Sequence, residues 1–252
     1  MELSVVIITK NEERNIERCL KSIVDIADEI IVVDSYSSDN TIELCEKYDV
    51  KVIQRKFVGY GNQKQYATEQ ANFDYILSLD ADEELSEELK ASISAVKVNL
   101  TYDCYSFNRK NFYCNKPIRF CGWYPDKKIR LFDKRKMNWN DKEVHETIEI
   151  WDKKQVLQLN GNLNHYRCSS IEEHQEKEKK YAQMNADILI KQGKSVACAT
   201  PYLKGSFRFF KTYILKLGIL DGYYGLTISK TLAKSSFNKY ALARKVIIQN
   251  CK

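Results

Sequence analysis

The sequence predicts an α/β, doubly wound fold with a helical C-terminal extension. Three observations carry this prediction. Short apolar runs alternate with helix-periodic segments over the first hundred residues, several aromatic-rich strands follow, and the last third is helical and strongly charged. Leu3-Ser4-Val5-Val6-Ile7-Ile8 has the unbroken apolar character of a strand buried on both faces. A helix is expected over 12–26, with Ile16, Leu20, Ile23 and Ala27 at helical spacing. Strand, helix, strand, helix and strand are then expected over 29–33, 41–48, 50–57, 61–70 and 75–79, and Ser86 opens a further helix to about Val98. Beyond residue 100 the expected strands are 104–109, 128–132, 144–150 and 155–159. Ser170 and Glu173 are spaced as a capping box that starts the helical part. The simplest organisation is one domain over 1–168 and an extension over 169–252.

Composition narrows the class. Apolar residues make up 44% and charged residues 29% of the 252, which describes a folded chain and opposes disorder. Three prolines and nine glycines are too few for an all-β sandwich with many tight turns. The eight cysteines are scattered without a C-x-x-C pair, and a strand is expected directly at the start, so no secretory signal is expected. Free buried thiols in a reducing compartment are therefore expected, with no structural zinc. No run approaches 18 apolar residues, so no transmembrane span is expected. The net charge of +6 suits contact with phosphate groups or an anionic membrane surface, and nucleic acid is not an expected partner.

In open α/β sheets ligands bind beyond the carboxyl ends of the strands. Four such ends are legible: Thr9-Lys10-Asn11-Glu12, Asp34-Ser35-Tyr36-Ser37-Ser38-Asp39, Gly59-Tyr60-Gly61-Asn62-Gln63-Lys64 and Asp80-Ala81-Asp82-Glu83. Two carboxylates two residues apart, Asp80 and Asp82, suit a hard divalent cation that shares its shell with substrate phosphates. The same pair also suits the first turn of a helix. Thr9, Asn11 and Asp39 equally suit helix caps, whereas Asp34 ends its strand before any helix can begin. Gly59-x-Gly61 is too short for a dinucleotide fingerprint and no Walker loop is present, which disfavours Rossmann oxidoreductases and P-loop enzymes.

At these residues the sequence resembles family 2 glycosyltransferases with the GT-A fold, a Rossmann-like, mostly parallel sheet. The resemblance rests on Ser-Val-Val-Ile-Ile-Thr-Lys-Asn-Glu at 4–12, Ile-Val-Val-Asp-Ser-Tyr-Ser-Ser-Asp-Asn-Thr at 31–41 and Leu-Ser-Leu-Asp-Ala-Asp-Glu at 77–83. Closer still is a bacterial subgroup that includes lipopolysaccharide core glucosyltransferases, through Gly122-Trp123-Tyr124-Pro125-Asp126, Arg130-Leu131-Phe132, Val144-His145-Glu146 and Leu220-Asp221-Gly222. The resemblance implies an inverting transfer of a hexose from a nucleotide-diphosphosugar, most simply a UDP-sugar, with Mg²⁺ or Mn²⁺. The implied acceptor is a glycan or glycolipid of the bacterial surface, met at the cytoplasmic face of the inner membrane. Thr9, Asn11, Glu12 and Asp34 are then expected at the nucleotide, Lys64 near the donor, Asp80 at the ribose or sugar, and Asp82 on the metal with His165 as a further ligand.

An inverting transfer needs a base for the attacking hydroxyl, for which Glu146 is the candidate and Asp141 the second choice. Trp123, Tyr124 and Asp126 suit an acceptor site or a packed loop. His174, among Glu172, Glu173 and Glu176, is expected to face solvent. Phe207 to Lys216, with Arg208 and Lys211, suits either the membrane surface or packing on its own domain. A polyprenyl-phosphate sugar transferase and a non-catalytic sugar-binding protein are the alternative readings. A sugar-1-phosphate nucleotidyltransferase is disfavoured, because Thr-Lys-Asn-Glu stands where its Gly-rich loop would be.

Overall fold

Strand β1 (Leu3–Thr9) shows why the first run is apolar without alternation. Successive strand side chains point to opposite faces, and here each face has its own core. Leu3, Val5 and Ile7 join a cluster with Ile16, Leu20, Ile23 and Ile93, whereas Val6 and Ile8 join another with Ala67, Phe132 and Trp139. The computed structural model describes residues 1–140, 147–150, 156–193 and 195–250. Packing divides the chain into two units, Met1–Arg109 with Asp126–His165, and Lys110–Pro125 with Tyr166–Lys252.

In the first unit, α1 (Ile16–Lys21), β2 (Glu29–Asp34), α2 (Thr41–Cys45), β3 (Lys51–Gln54), α3 (Tyr60–Glu69) and β4 (Tyr75–Asp80) follow β1. Strands β3, β2, β1 and β4 lie side by side in that order and pair in parallel. The chain moves outward from β1 to β3 and then returns to the other side of β1 with β4. The β1/β4 boundary is therefore the topological switch point where ligands of such sheets bind. Helix α1 and Cys45 of α2 pack on one face and Ala67 of α3 on the other, so the sheet is wound on both sides.

The parallel character stops at β4. After β5 (Glu83–Leu85) and α4 (Glu87–Val98), the sheet continues through β6 (Cys104–Tyr113), which carries the two-residue β7 (Lys116–Pro117), β8 (Asp126–Asp133) and β11 (Leu157–Cys168). The order is β3-β2-β1-β4-β8-β6-β11-β5, with β8 antiparallel to β4 and β6, and β5 antiparallel to β11. Strands β9 (Met137–Trp139) and β10 (Ile148–Ile150) form a separate antiparallel pair. The sheet is thus mixed, with its parallel half confined to the first eighty residues.

Local signals explain several boundaries. Ser86 caps α4 by accepting from the Leu89 N–H, as its sequence position predicts. Helix α1 is far shorter than the expected 12–26, because the residues on either side form turns held by bonds such as Ala27 N–H to Ile23 O. Strands β6 and β11 run longer than expected, since their distal residues are polar and aromatic and lack an apolar run. All seven described cysteines are free thiols, and five of them are buried.

The second unit contains α5 (Ile171–Lys191), α6 (Thr200–Phe210) running into a π-helical turn at Lys211–Leu215, and α7 (Gly222–Asn250). Ser170 accepts from the Glu173 N–H, while the Glu173 carboxylate reaches back to the N–H and hydroxyl of Ser169. This is a capping box shifted by one residue. His174 is buried, at 1% exposure, which corrects the expectation that it faces solvent. The physical reason is a stripe at i, i+4, i+8 and i+12 on α5, His174, Glu178, Ala182 and Ala186, that turns inward despite the flanking glutamates. The His174 ring lies edge-on to Tyr113 and Trp123, and its Nδ1 is 3.2 Å from the Tyr113 hydroxyl. Burial first, and the charges of Arg167 and Lys177 second, lower its pKa to about 4, so the imidazole is neutral. Trp123 therefore belongs to the packed core of this unit, with Arg167 over its face at 5.0 Å.

Candidate active site

The parallel strand ends place Thr9, Asp34 and Asp80 in adjacent positions. Thr9 pairs with Asp34 across β1/β2, and Ile8 pairs with Asp80 across β1/β4. The Thr9 hydroxyl is buried and has no hydrogen-bond partner among the described residues. A buried polar atom left unpaired costs free energy, and at a strand end facing a ligand edge the missing partner is most simply a ligand atom. Asp34 is fully buried, and its carboxylate accepts the Ser37 N–H at 2.9 Å together with the Ser37 hydroxyl. Asn11, at φ +55°, accepts the Ser38 N–H at 2.8 Å and donates its own N–H to the Ser37 hydroxyl. Asp34 and Asn11 thus lock the loops after β1 and β2 together. The Glu12 N–H donates to the Thr41 hydroxyl at 2.8 Å, in the same lattice. Asp39 caps the start of α2 through the Thr41 N–H.

Helix α3 aims two buried polar side chains at this edge. It begins at Gly59, whose φ of +126° and ψ of 151° suit only glycine. Gln63 donates to the Ser35 hydroxyl at 3.2 Å. Lys64, 1% exposed, places its ammonium 2.9 Å from one Asp80 oxygen, and Arg130 of β8 lies 2.8 Å from the other. Arg130 also reaches Glu83 at 2.8 Å, and Arg109 of β6 bridges Glu83 at 3.3 Å and Asp126 at 2.7 Å. Glu83 in turn accepts the Asp80 N–H at 3.0 Å. Three cations alternate with three carboxylates, so the buried charge is balanced. Burial alone would raise the Asp80 pKa, but Lys64 and Arg130 hold it well below the usual carboxylate range, and the group is ionised.

Asp82 stands apart from that lattice. Its carboxylate lies 3.2 Å from His165 Nε2, both side chains being partly open to solvent. The register of β11 against β5 explains the meeting, since His165 pairs with Glu83, next to Asp82. The structure therefore brings together the two residues expected from sequence as metal ligands, although 83 positions of chain separate them. Among the described residues no third Asp, Glu, His or Cys completes a set with them. A carboxylate oxygen and an imidazole nitrogen at an open strand end are donor types that a divalent cation would accept, with Asp82 and His165 as the residues that would hold it.

Glu146 and Asp141 lie outside the described residues, as does His145. Their described flanks, Asn140 and Thr147, are joined by three hydrogen bonds of 2.8, 3.1 and 3.2 Å. One residue further back, the ring of Trp139 lies 5.0 Å from the Lys64 ammonium. Asp126, considered from sequence for an acceptor, is instead engaged by Arg109 and Lys128. Sequence reasoning missed Glu83, Arg109 and Arg130 as members of the site. The available signal was Arg130 within an otherwise apolar strand, a charge that must meet partners if buried.

The fold is that of a GT-A glycosyltransferase. The chain belongs to glycosyl transferase family 2, whose family model matches residues 4–150. It is 32% identical to an uncharacterized glycosyltransferase of Rickettsia bellii (strain RML369-C), over 98% of this chain and 88% of that one. It is 28% identical to the lipopolysaccharide core biosynthesis glycosyltransferase LpsC of Rhizobium meliloti (strain 1021), over 77% and 74% of the two chains. Among solved structures, S. aureus TarS 1–349 in complex with UDP aligns over 99% of this chain and 92% of that one, with a TM-score of 0.47 and 16% identity.

Proposed function

We propose that this glycosyltransferase is an inverting, metal-dependent enzyme that moves a hexose from a UDP-sugar to a bacterial surface-glycan acceptor such as lipopolysaccharide core. The observation that carries the reading is the division of labour at the fourth strand end. Asp80 is tied into a buried ion lattice, while Asp82 and His165 are left facing the ligand edge 3.2 Å apart. In this reading Asp82 and His165 hold Mg²⁺ or Mn²⁺, which when bound neutralises the diphosphate of the leaving nucleotide. Asn11 and Asp34 shape the loops that receive the nucleotide, Glu12 braces them, and the unpaired Thr9 hydroxyl is available to it. Lys64 keeps Asp80 ionised beside the donor, where the carboxylate can accept from a sugar or ribose hydroxyl.

The acceptor hydroxyl must lose a proton as it attacks, and Glu146, adjoining the tied Thr147, is assigned as the base, with Asp141 as second choice. Similarity to LpsC, a lipopolysaccharide core biosynthesis glycosyltransferase, supports the lipopolysaccharide acceptor, and a working place at the cytoplasmic face of the inner membrane belongs to the same proposal. The test is release of UDP from UDP-hexoses by the purified chain. Turnover requiring Mn²⁺ or Mg²⁺ is expected, with Glu146→Gln lowering it by two or more orders of magnitude while UDP still binds. Full activity of Glu146→Gln would instead point to a phosphate acceptor, which needs no strong base, and would remove the base assignment.

A further inference from the structure

Helix α6 and the turn that continues it are inside out. The residues they bury are small: Pro201, Gly205 and Thr212. Gly205 packs tightly there: a Cβ would meet Phe237 at 3.2 Å and the Ala233 carbonyl at 3.3 Å on α7, so α7 would have to shift by a few tenths of an ångström to admit one. On the opposite side stand Leu203, Phe207, Phe210, Ile214 and Leu217, at i, i+4, i+7, i+11 and i+14, all exposed, with Leu203 at 67% and Phe207 at 58%. Within α6 that spacing puts Leu203, Phe207 and Phe210 on one apolar stripe, and the exposed Ile214 and Leu217 follow it in the π-helical turn and just beyond. Lys204, Arg208 and Lys211 each follow a member of the stripe, so a row of cations runs along its flank. Leu215, Ile219, Leu220 and Tyr223 extend the exposed apolar surface past the turn.

Charge identifies what covers it. Residues 188–252 hold 12 of the chain's 40 Lys and Arg but one of its 34 Asp and Glu, a net of +11, which leaves −5 for residues 1–187. The single acid, Asp221, is occupied by the Arg119 and Phe120 N–H groups at 3.1 and 2.9 Å. A second copy of the same surface would bring like charge against like charge. A lipid surface satisfies both features, taking the apolar stripe into the acyl boundary while the flanking cations meet anionic headgroups. No helix among the described residues is long and apolar enough to cross a membrane, so a lipid contact here would be one along the bilayer surface.

We propose that Leu203–Tyr223 is a docking surface for an anionic lipid bilayer, with Phe207, Phe210 and Ile214 as apolar anchors and Lys204, Arg208 and Lys211 as headgroup contacts. The inference deepens the proposed function by naming the surface that would bring the enzyme to a membrane-held acceptor. Its readout, vesicle binding, is independent of turnover, so either reading can fail alone. The experiment is sedimentation of the full chain with phosphatidylcholine vesicles, with and without phosphatidylglycerol. The intact protein is expected to pellet only when phosphatidylglycerol is present, and less so at raised ionic strength. A Phe207→Ser, Phe210→Ser, Ile214→Ser triple variant is expected to lose at least about tenfold in partitioning. A separate Arg208→Glu, Lys211→Glu variant, which leaves the apolar stripe intact, should lose the phosphatidylglycerol dependence. Both variants should release UDP from soluble donor as the parent does. Absence of pelleting, unchanged pelleting of the triple variant, or equal binding to neutral vesicles would overturn the proposal. So would a dimer in solution that the triple variant dissociates.

Discussion

In the first unit a connected group of charges breaks the usual burial pattern: Lys64, Arg130 and Glu83 are all but excluded from water. In the second, apolar groups left outside break it, such as Leu203, Phe207 and Leu220. The two departures have different physical standing. Buried charges cost several kcal/mol each unless paired, so the first unit must supply a complete lattice, Lys64–Asp80–Arg130–Glu83–Arg109–Asp126. Exposed apolar groups are common singly, but a stripe of them wants a partner. A buried lattice thus organises a site within the fold, whereas an exposed stripe answers to something outside it.

Breaking the lattice should have the largest effect on stability. Arg130→Leu leaves Glu83 buried with part of its pairing gone, and should cost about 3–5 kcal/mol in a denaturant titration. A cost below about 1 kcal/mol would mean the lattice is not tightly coupled. In the second unit, His174 is neutral when folded, with its pKa lowered from 6.5 to about 4. The unfolded chain binds the proton more readily, so this stabilisation is complete above pH 6.5 and drains away as pH falls towards 4. The loss is on the order of 3 kcal/mol, and His174→Phe should flatten that part of the pH–stability curve. Ser86→Ala, which removes the α4 cap, should cost about 1 kcal/mol. Smallest of all, the Phe207, Phe210 and Ile214 substitutions should shift stability by less than about 0.5 kcal/mol each, since these groups are exposed. A large loss there would mean that the stripe is structural and the contrast between the units false.

The sequence was most legible where one physical cause acted alone. Continuous apolar runs marked β1, β2 and β4, because both sheet faces are covered. Their carboxyl ends then placed Thr9, Asp34 and Asp80 on one edge, as register confirms. Less legible were features set by distant chain. That His165 lies against Asp82 depends on the β11–β5 register, and the pairing of Glu83 with Arg130 and Arg109 depends on β8 and β6 joining the sheet. His174 was hidden by its own neighbours: three glutamates on α5 marked a solvated face, and the stripe at i+4 spacing that buries it is carried by Glu178 and two alanines. The outward stripe of α6 had the composition of an ordinary buried face, and only the packing of Gly205 on α7 shows which side faces in.

In the proposed function Asp82, with His165, serves a divalent cation at the donor diphosphate, while Asp80 serves the fold and the sugar. Calorimetric titration of UDP into the chain with Mn²⁺ and with EDTA tests it most directly. UDP is expected to bind at least about tenfold tighter with Mn²⁺, and both Asp82→Asn and His165→Ala are expected to lose that gain. UDP binding that ignores Mn²⁺, or a gain that survives both substitutions, would contradict it.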